Sequence, residues 1–197
     1  MTVYKIKVEE LGKNWISLLK ARHRNSELEI HVIEPGKAPS FSEDDFWRII
    51  ALLDWSQDED DSAGILEPAI AELSTLDDAA IYRFQDILSE KLFHLDQEVY
   101  ARHLGPEAPA ENGAFSADYF LYARACVVAN GKEYYETVLA DPAQMPQGFT
   151  FEPLLSLARK AYVRKTGQPF DYLPPLSYET YSNPAGWEDS LSSRLNA

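Results

Sequence analysis

The chain has 197 residues, of which 45% are hydrophobic and 12% aromatic, a composition that supplies a core and excludes a disordered chain. Its net charge of −14 is uneven: residues 1–37 hold seven Lys/Arg against five Asp/Glu, whereas residues 38–197 hold 11 against 27, a net charge of −16. Because phosphate contacts need clustered Lys/Arg, the acidic body argues against nucleic acid and anionic lipid as partners and favours a basic protein.

Residues 1–36 are predicted to form a small β-α-β appendage. Residues 3–8 and 28–33 alternate apolar and polar side chains, the period of a half-buried strand. Between them, residues 9–22 place leucines and Trp15 at helical spacing. A unit of this length cannot bury enough surface to stand alone, so we expect it to dock on the main domain or to form a homodimer with a second copy.

Residues 42–167 are predicted to form a helical domain of about five helices. Helix N-caps are predicted at three residues: Ser42 (with Asp45 in a capping box), Thr75 and Ser116. Pro68 is typical of a position near the start of another helix. The apolar spacing of the long helix after Thr75 extends as far as Leu104. Glycines predict two helix ends, at Gly131 and Gly167.

Residues 168–197 are predicted to form an extended tail. The segment combines four prolines, which disfavour helix, with five aromatic residues, which disfavour a free disordered chain. We therefore expect it to pack on the helical domain. The predicted fold class is mainly α: one helical domain with an N-terminal β-α-β appendage and a Pro/Tyr-rich C-terminal tail.

The sequence also predicts the compartment. No apolar run reaches the length of a membrane span, and the first residues lack the charged-then-apolar pattern of a signal peptide. The single cysteine, Cys126, excludes an intrachain disulfide and lies in a predicted apolar helix, where a thiol is normally inert packing. A cytoplasmic protein is the expectation.

The order of motifs after residue 45 carries a family resemblance. The matching residues are Phe46, Trp47, Phe84, Leu88, Asp96, Ser116, Asp118, Phe120, Tyr122, Arg124, Asn130, Gly131, Tyr135, Pro184 and Trp187. In their order and spacing these residues resemble the bacterial family called domain of unknown function 4240. The resemblance implies a shared helical fold and no assigned chemistry.

The first 37 residues carry a second resemblance. Residues 8–11, Asn14, Trp15 and residues 27–38 are similar to the N-terminal unit of prevent-host-death type antitoxins. That family implies dimerisation, operator binding by this unit and a C-terminal segment that wraps a toxin. The net charge of +2 on residues 1–37 is smaller than the basic footprint expected of a DNA reader.

Arg124 is the sharpest single candidate for a functional residue. It lies among apolar residues of a predicted helix, and arginine is rarely buried without a partner. Asp118 is six residues away, too far round the helix for a direct pair, so we expect a partner from another helix, Asp96 or Glu98. Arg124 is then either a ligand-facing guanidinium or one half of a buried ion pair that specifies the fold. The candidate ligand or partner residues are Arg124, Asp118 and Asp96.

Other constellations predict no chemistry. The acidic loop at residues 54–61 lacks the pattern of a calcium loop, and the four histidines lack metal-ligand spacing. No nucleophile elbow or phosphate-binding glycine loop is present. We therefore expect no metal, no cofactor and no catalytic residues.

Two functional hypotheses remain open. The first is a non-enzymatic protein-binding module, of the antitoxin or immunity-type neutraliser kind, whose acidic body meets a basic partner. The alternative is an enzyme or small-ligand binder that uses a helical pocket around Arg124.

Overall fold

The chain divides into two units, Met1–Ala38 and Pro39–Ala197. The computed structural model describes four stretches of the chain: residues 13–22, 41–58, 60–110 and 115–187. In the first unit it describes helix α1 (Lys13–Arg22), which lies within the predicted helix at residues 9–22. The two strands predicted at residues 3–8 and 28–33 lie outside the described residues, as does the β-α-β arrangement that depends on them.

The second unit is helical, which confirms the mainly α prediction. Its described residues form α2 (Glu43–Ile50), α3 (Ser62–Thr75), α4 (Asp78–His94), α5 (Glu98–Ala101), α6 (Ala117–Ala129), α7 (Lys132–Ala140) and α8 (Leu157–Thr166). Short 3-10 helices lie at Gly105–Glu107, Pro142–Gln144, Glu152–Ser156 and Pro184–Gly186. Within the four described stretches no strand occurs, and no helix has the length and apolarity needed to cross a membrane.

Local sequence explains where several helices begin and end. The Ser42 hydroxyl accepts from the Asp45 amide at 3.1 Å and the Asp45 carboxylate accepts from the Ser42 amide at 2.9 Å, which confirms the capping box. Ser116 accepts from the Tyr119 amide at 3.1 Å and caps α6. Gly167 ends α8 with φ of +69°, a conformation that favours glycine.

Two helix starts differ from the prediction. Asp77, not Thr75, caps α4, because its carboxylate accepts from the Ala80 amide at 2.7 Å while Thr75 is the last residue of α3. Helix α3 begins at Ser62, six residues before Pro68, because Asp61 accepts from the amide of Gly64 at 2.9 Å. In both cases a carboxylate supplies the cap at the N-terminal end of the helix dipole.

The long helix after Asp77 is shorter than predicted. It ends at His94, and residues 98–101 form the separate helix α5, so the unit has more helices than the five expected. Asp96 lies in the break between the two helices, and its carboxylate is hydrogen bonded by residues from the C-terminal segment. Tertiary contacts that the helical period does not show therefore interrupt the helix.

The core of the second unit is built around α4 and α6. Helix α8 packs on α3 and α4, and α6 packs on α4, α7 and the 3-10 helix at Glu152–Ser156. Nine of the 13 residues of α6 are buried, so this helix is enclosed on most sides. Phe46, Phe84 and Phe120 are fully buried, and burial of each contributes about 1.5–3 kcal/mol.

The C-terminal segment, residues 168–187, packs on these helices. Tyr172 stacks on Tyr82 with 4.5 Å between ring centroids, and its hydroxyl donates to Asp86 at 2.7 Å. Trp187 is 2% exposed and lies against Phe115 and Phe120. Aromatic side chains thus attach this proline-rich segment to the helical body.

Candidate functional site

Arg124 and Asp96 form a buried ion pair. Arg124 lies in the middle of α6 and Asp96 in the break after α4, and both side chains are fully buried. Nη2 of Arg124 lies 3.9 Å from Oδ1 of Asp96, which confirms one of the two partners expected from the sequence. Glu98, the other expected partner, pairs with Arg102.

The chain itself supplies the contacts of the Arg124 guanidinium. Nη1 donates to the carbonyl of Leu92 at 2.8 Å, and Nη2 donates to the Thr180 hydroxyl at 3.0 Å. The group lies 4.6 Å above the ring of Phe120. Burial lowers the pKa of Arg124 to about 10, against the opposing effect of the Asp96 and Glu179 charges. In this structure the guanidinium therefore faces protein atoms rather than an open pocket.

Asp96 holds the C-terminal segment on the helical body. Its carboxylate accepts from the backbone amides of Tyr181 at 3.1 Å and Asn183 at 2.9 Å, and from the indole N–H of Trp187 at 3.1 Å. Hydrogen bonds to a charged acceptor are stronger than neutral ones. The Arg124–Asp96 pair therefore attaches residues 180–187 to the helical body. We call this buried pair the tail anchor.

Asp118, the third candidate, lies apart from this pair on an open groove. The groove has a volume of about 580 Å³ and is formed by the first turns of α3, α6 and α8, the 3-10 helix before α8, and residues 178–179. Its charged and hydroxyl-bearing lining includes Asp118, Tyr122, Glu152, Arg159, Lys160 and Glu179. We call this surface the acidic groove. The structure thus separates the three candidates into one buried pair and one exposed carboxylate.

Three carboxylates line the acidic groove together with Tyr122. Burial raises the pKa of Tyr122, and the negative charges of Glu152, Asp118 and Glu179 raise it further. None of these three carboxylates takes part in an ion pair within the described residues. Within the described residues no ion pair neutralises these carboxylates, although Arg159 and Lys160 line the same groove.

The described residues offer little for metal or thiol chemistry. Among them no three His, Cys, Asp or Glu side chains are placed to hold one metal ion. Cys126 is buried, and burial raises the pKa of its thiol, which disfavours the reactive thiolate.

Sequence reasoning identified Asp118 but missed its neighbours. Glu152 lies in a 3-10 helix and Glu179 in the C-terminal segment, and neither belongs to a motif. No spacing rule connects positions 118, 152 and 179, because tertiary packing alone brings them to one groove. An exposed carboxylate beside a tyrosine, as at positions 118 and 119, is too common to serve as a signal.

Comparison with known proteins gives one match. A family described as a protein of unknown function (DUF4240) matches residues 41–164. The match includes Asp96, Asp118, Arg124 and Glu152 and ends before Glu179 and the segment that docks on the tail anchor. No curated protein and no solved structure matches the chain.

Proposed function

This chain belongs to the family of proteins of unknown function DUF4240, and we propose its function from its own structure. The protein is a binding module whose acidic groove takes up a basic protein partner. A lysine or arginine side chain of that partner enters the groove between Asp118, Glu152 and Glu179. The observation that carries the proposal is that these three carboxylates, which form no ion pair among the described residues, line one open groove together with Tyr122 and Tyr178.

The lining of the groove suits a long cationic side chain. Carboxylates attract its charged end, while the rings of Tyr122 and Tyr178 offer apolar surface to its aliphatic stem. A single exposed ion pair contributes only about 0.2–1 kcal/mol, so several carboxylates around one cation are needed for useful affinity. Arg159 and Lys160 form the part of the lining that α8 contributes. The three carboxylates come from the other elements of the groove.

The charge of the whole body supports the same function. The net charge of −16 after residue 37 attracts basic proteins over distances of about one Debye length and raises the association rate. A neutraliser of the antitoxin or immunity type would use both features, with the overall charge for encounter and the groove for the specific contact.

The direct test is binding of a fluorescently labelled oligolysine peptide, followed by anisotropy. We expect binding that weakens as the salt concentration rises. The triple variant Asp118→Asn, Glu152→Gln and Glu179→Gln should weaken it by about tenfold or more, because it removes all three groove carboxylates.

A matched control separates the groove from the net charge. The triple variant Glu72→Gln, Glu133→Gln and Glu136→Gln removes the same charge from exposed positions outside the groove lining. It should change affinity by no more than about twofold. Equal losses in the two triple variants, or no binding by the unmodified protein, would overturn the proposal.

A further inference from the structure

Trp55 is an exposed aromatic side chain in the loop between α2 and α3. It is 50% exposed, whereas Trp47 and Trp187 are 7% and 2% exposed. Its ring contacts Phe151, with 5.1 Å between centroids and an angle of 57° between ring planes. An exposed tryptophan beside a second aromatic ring is a common feature of binding surfaces.

The Trp55 ring is linked to the lining of the acidic groove through Phe151. Phe151, which it contacts, donates its backbone amide to the carbonyl of Tyr122 at 3.0 Å. Glu152, the next residue, lines the groove. One aromatic contact and one backbone hydrogen bond therefore connect the exposed indole to the wall that carries the groove tyrosine and one of its carboxylates.

The loop that carries Trp55 is acidic. Asp54 precedes the ring, and Asp58, Asp60 and Asp61 follow it. Hydrogen bonds from the Ser56 side chain, then from Gln57 and the Ser56 amide, lower the pKa of Asp54 and keep it ionised. The cation–π contacts found in the described residues are made by Lys91 and Arg124 over rings other than Trp55. The indole thus offers an aromatic face in a field that favours a cation.

We propose, on the basis of the acidic groove as the binding site of a basic partner, that Trp55 is the platform on which an arginine guanidinium of that partner stacks. The guanidinium is planar and less strongly hydrated than an ammonium group, so it stacks on an aromatic face at lower cost in hydration. The partner segment then carries arginine beside the cation that enters the groove. Charge complementarity between this acidic aromatic surface and a basic segment selects that occupant over an uncharged apolar one.

The experiment compares oligoarginine and oligolysine peptides of equal length on the unmodified protein and on Trp55→Leu. The unmodified protein should bind the arginine peptide more tightly. Trp55→Leu should weaken arginine binding by about two- to fivefold and leave lysine binding within about twofold. Trp55→Phe, which keeps an aromatic face, should give an intermediate value and guards against a leucine variant that folds poorly. Leu173→Ala, an exposed apolar change in the C-terminal segment, should leave both affinities unchanged.

The outcomes separate this inference from the proposed function. Equal affinity of the unmodified protein for the two peptides overturns the arginine platform, and so does an equal loss of both affinities in Trp55→Leu. The groove proposal survives either result if its triple carboxylate variant still loses binding. Failure of both peptides to bind overturns both proposals.

Discussion

The tail anchor and the acidic groove use the same kinds of residue in opposite ways. In the tail anchor, a fully buried arginine and aspartate receive their partners from α4, α6 and residues 180–187. In the acidic groove, Asp118, Glu152 and Glu179 lie on an open surface without an ion pair in the described residues. Residues 178–187 contribute to both regions, so one segment closes the first and lines the second.

The two regions differ in how the free energy of their charged groups is compensated. A buried charge must be compensated inside the protein, because removing it from water costs several kcal/mol. An exposed carboxylate remains hydrated at little cost in free energy, and a ligand can displace that water when it binds. A mutation in the tail anchor should therefore change stability first, whereas a mutation in the acidic groove should change binding and leave stability almost intact.

The largest effect is expected for Asp96→Ala. It leaves Arg124 as an uncompensated buried charge and deprives three donors of their acceptor. We expect the free energy of unfolding to fall by about 3–5 kcal/mol. Urea denaturation followed by circular dichroism measures it.

The control for this prediction is Asp118→Ala in the acidic groove. Its carboxylate is exposed in the first turn of α6, so the loss should be about 1 kcal/mol or less. If Asp96→Ala does not accumulate as folded protein, Asp96→Asn keeps one acceptor oxygen and should give a smaller measurable loss. Similar losses for Asp96→Ala and Asp118→Ala would contradict the distinction between the two regions.

A smaller effect is expected for Gly186→Ala, which tests how tightly the C-terminal segment fits. A Cβ atom at this position would lie 2.7 Å from the backbone oxygen of Asp96 and 2.5 Å from Cγ of Gln97. The backbone oxygen cannot move away easily, so we expect a loss of about 1–3 kcal/mol in the free energy of unfolding. Ala185→Ser, at the exposed neighbouring position, should change it by less than about 0.5 kcal/mol. Equal stability of the two variants would show that the segment is loosely attached.

The smallest effect concerns Glu43 and Lys91, a pair between the two extremes. Lys91 is almost buried and Glu43 half exposed, with 2.7 Å between Nζ and Oε1. The hydrogen bond from Lys91 lowers the pKa of Glu43 below its ordinary value of 4.5. The contribution is therefore full at pH values above 4.5 and is lost as the pH falls through the lowered pKa of the folded state.

Glu43→Gln measures this contribution. The variant should be less stable than the unmodified protein at neutral pH, and the two unfolding curves should converge in acid. Asp44→Asn, on the neighbouring and more exposed side chain, should show a smaller difference. A stability difference for Glu43→Gln that does not change with pH would contradict the assignment.

The sequence predicted features that depend on near neighbours. The caps at Ser42 and Ser116 and the glycine at the end of α8 follow from residues within one helical turn. The choice between Thr75 and Asp77 could not be made locally, because both residues are good caps and lie two positions apart. Burial arguments led to Asp96 as a partner of Arg124, since a buried arginine requires one.

Contacts between distant residues were not predictable in the same way. Thr180 lies 56 positions from Arg124, and Trp187 lies 91 positions from Asp96. No periodic pattern connects such positions. Hydrophobicity predicts that an aromatic residue lies in the core, but it does not identify the residues that it contacts. For the same reason the sequence supplied one residue of the acidic groove and missed Glu152 and Glu179.

The separation between Asp96 and Trp187 also has a consequence for the order in which the protein matures. During synthesis, α4 and α6 leave the ribosome well before residues 180–187, so the buried pair cannot obtain its full set of partners until the C-terminal segment emerges. Closing so long a loop is a late and entropically costly event. We expect released chains truncated before residue 180 to be protease-sensitive, whereas released chains that include Trp187 should be more resistant. The tail anchor therefore gains its full set of hydrogen bonds only after residues 180–187 are available to dock.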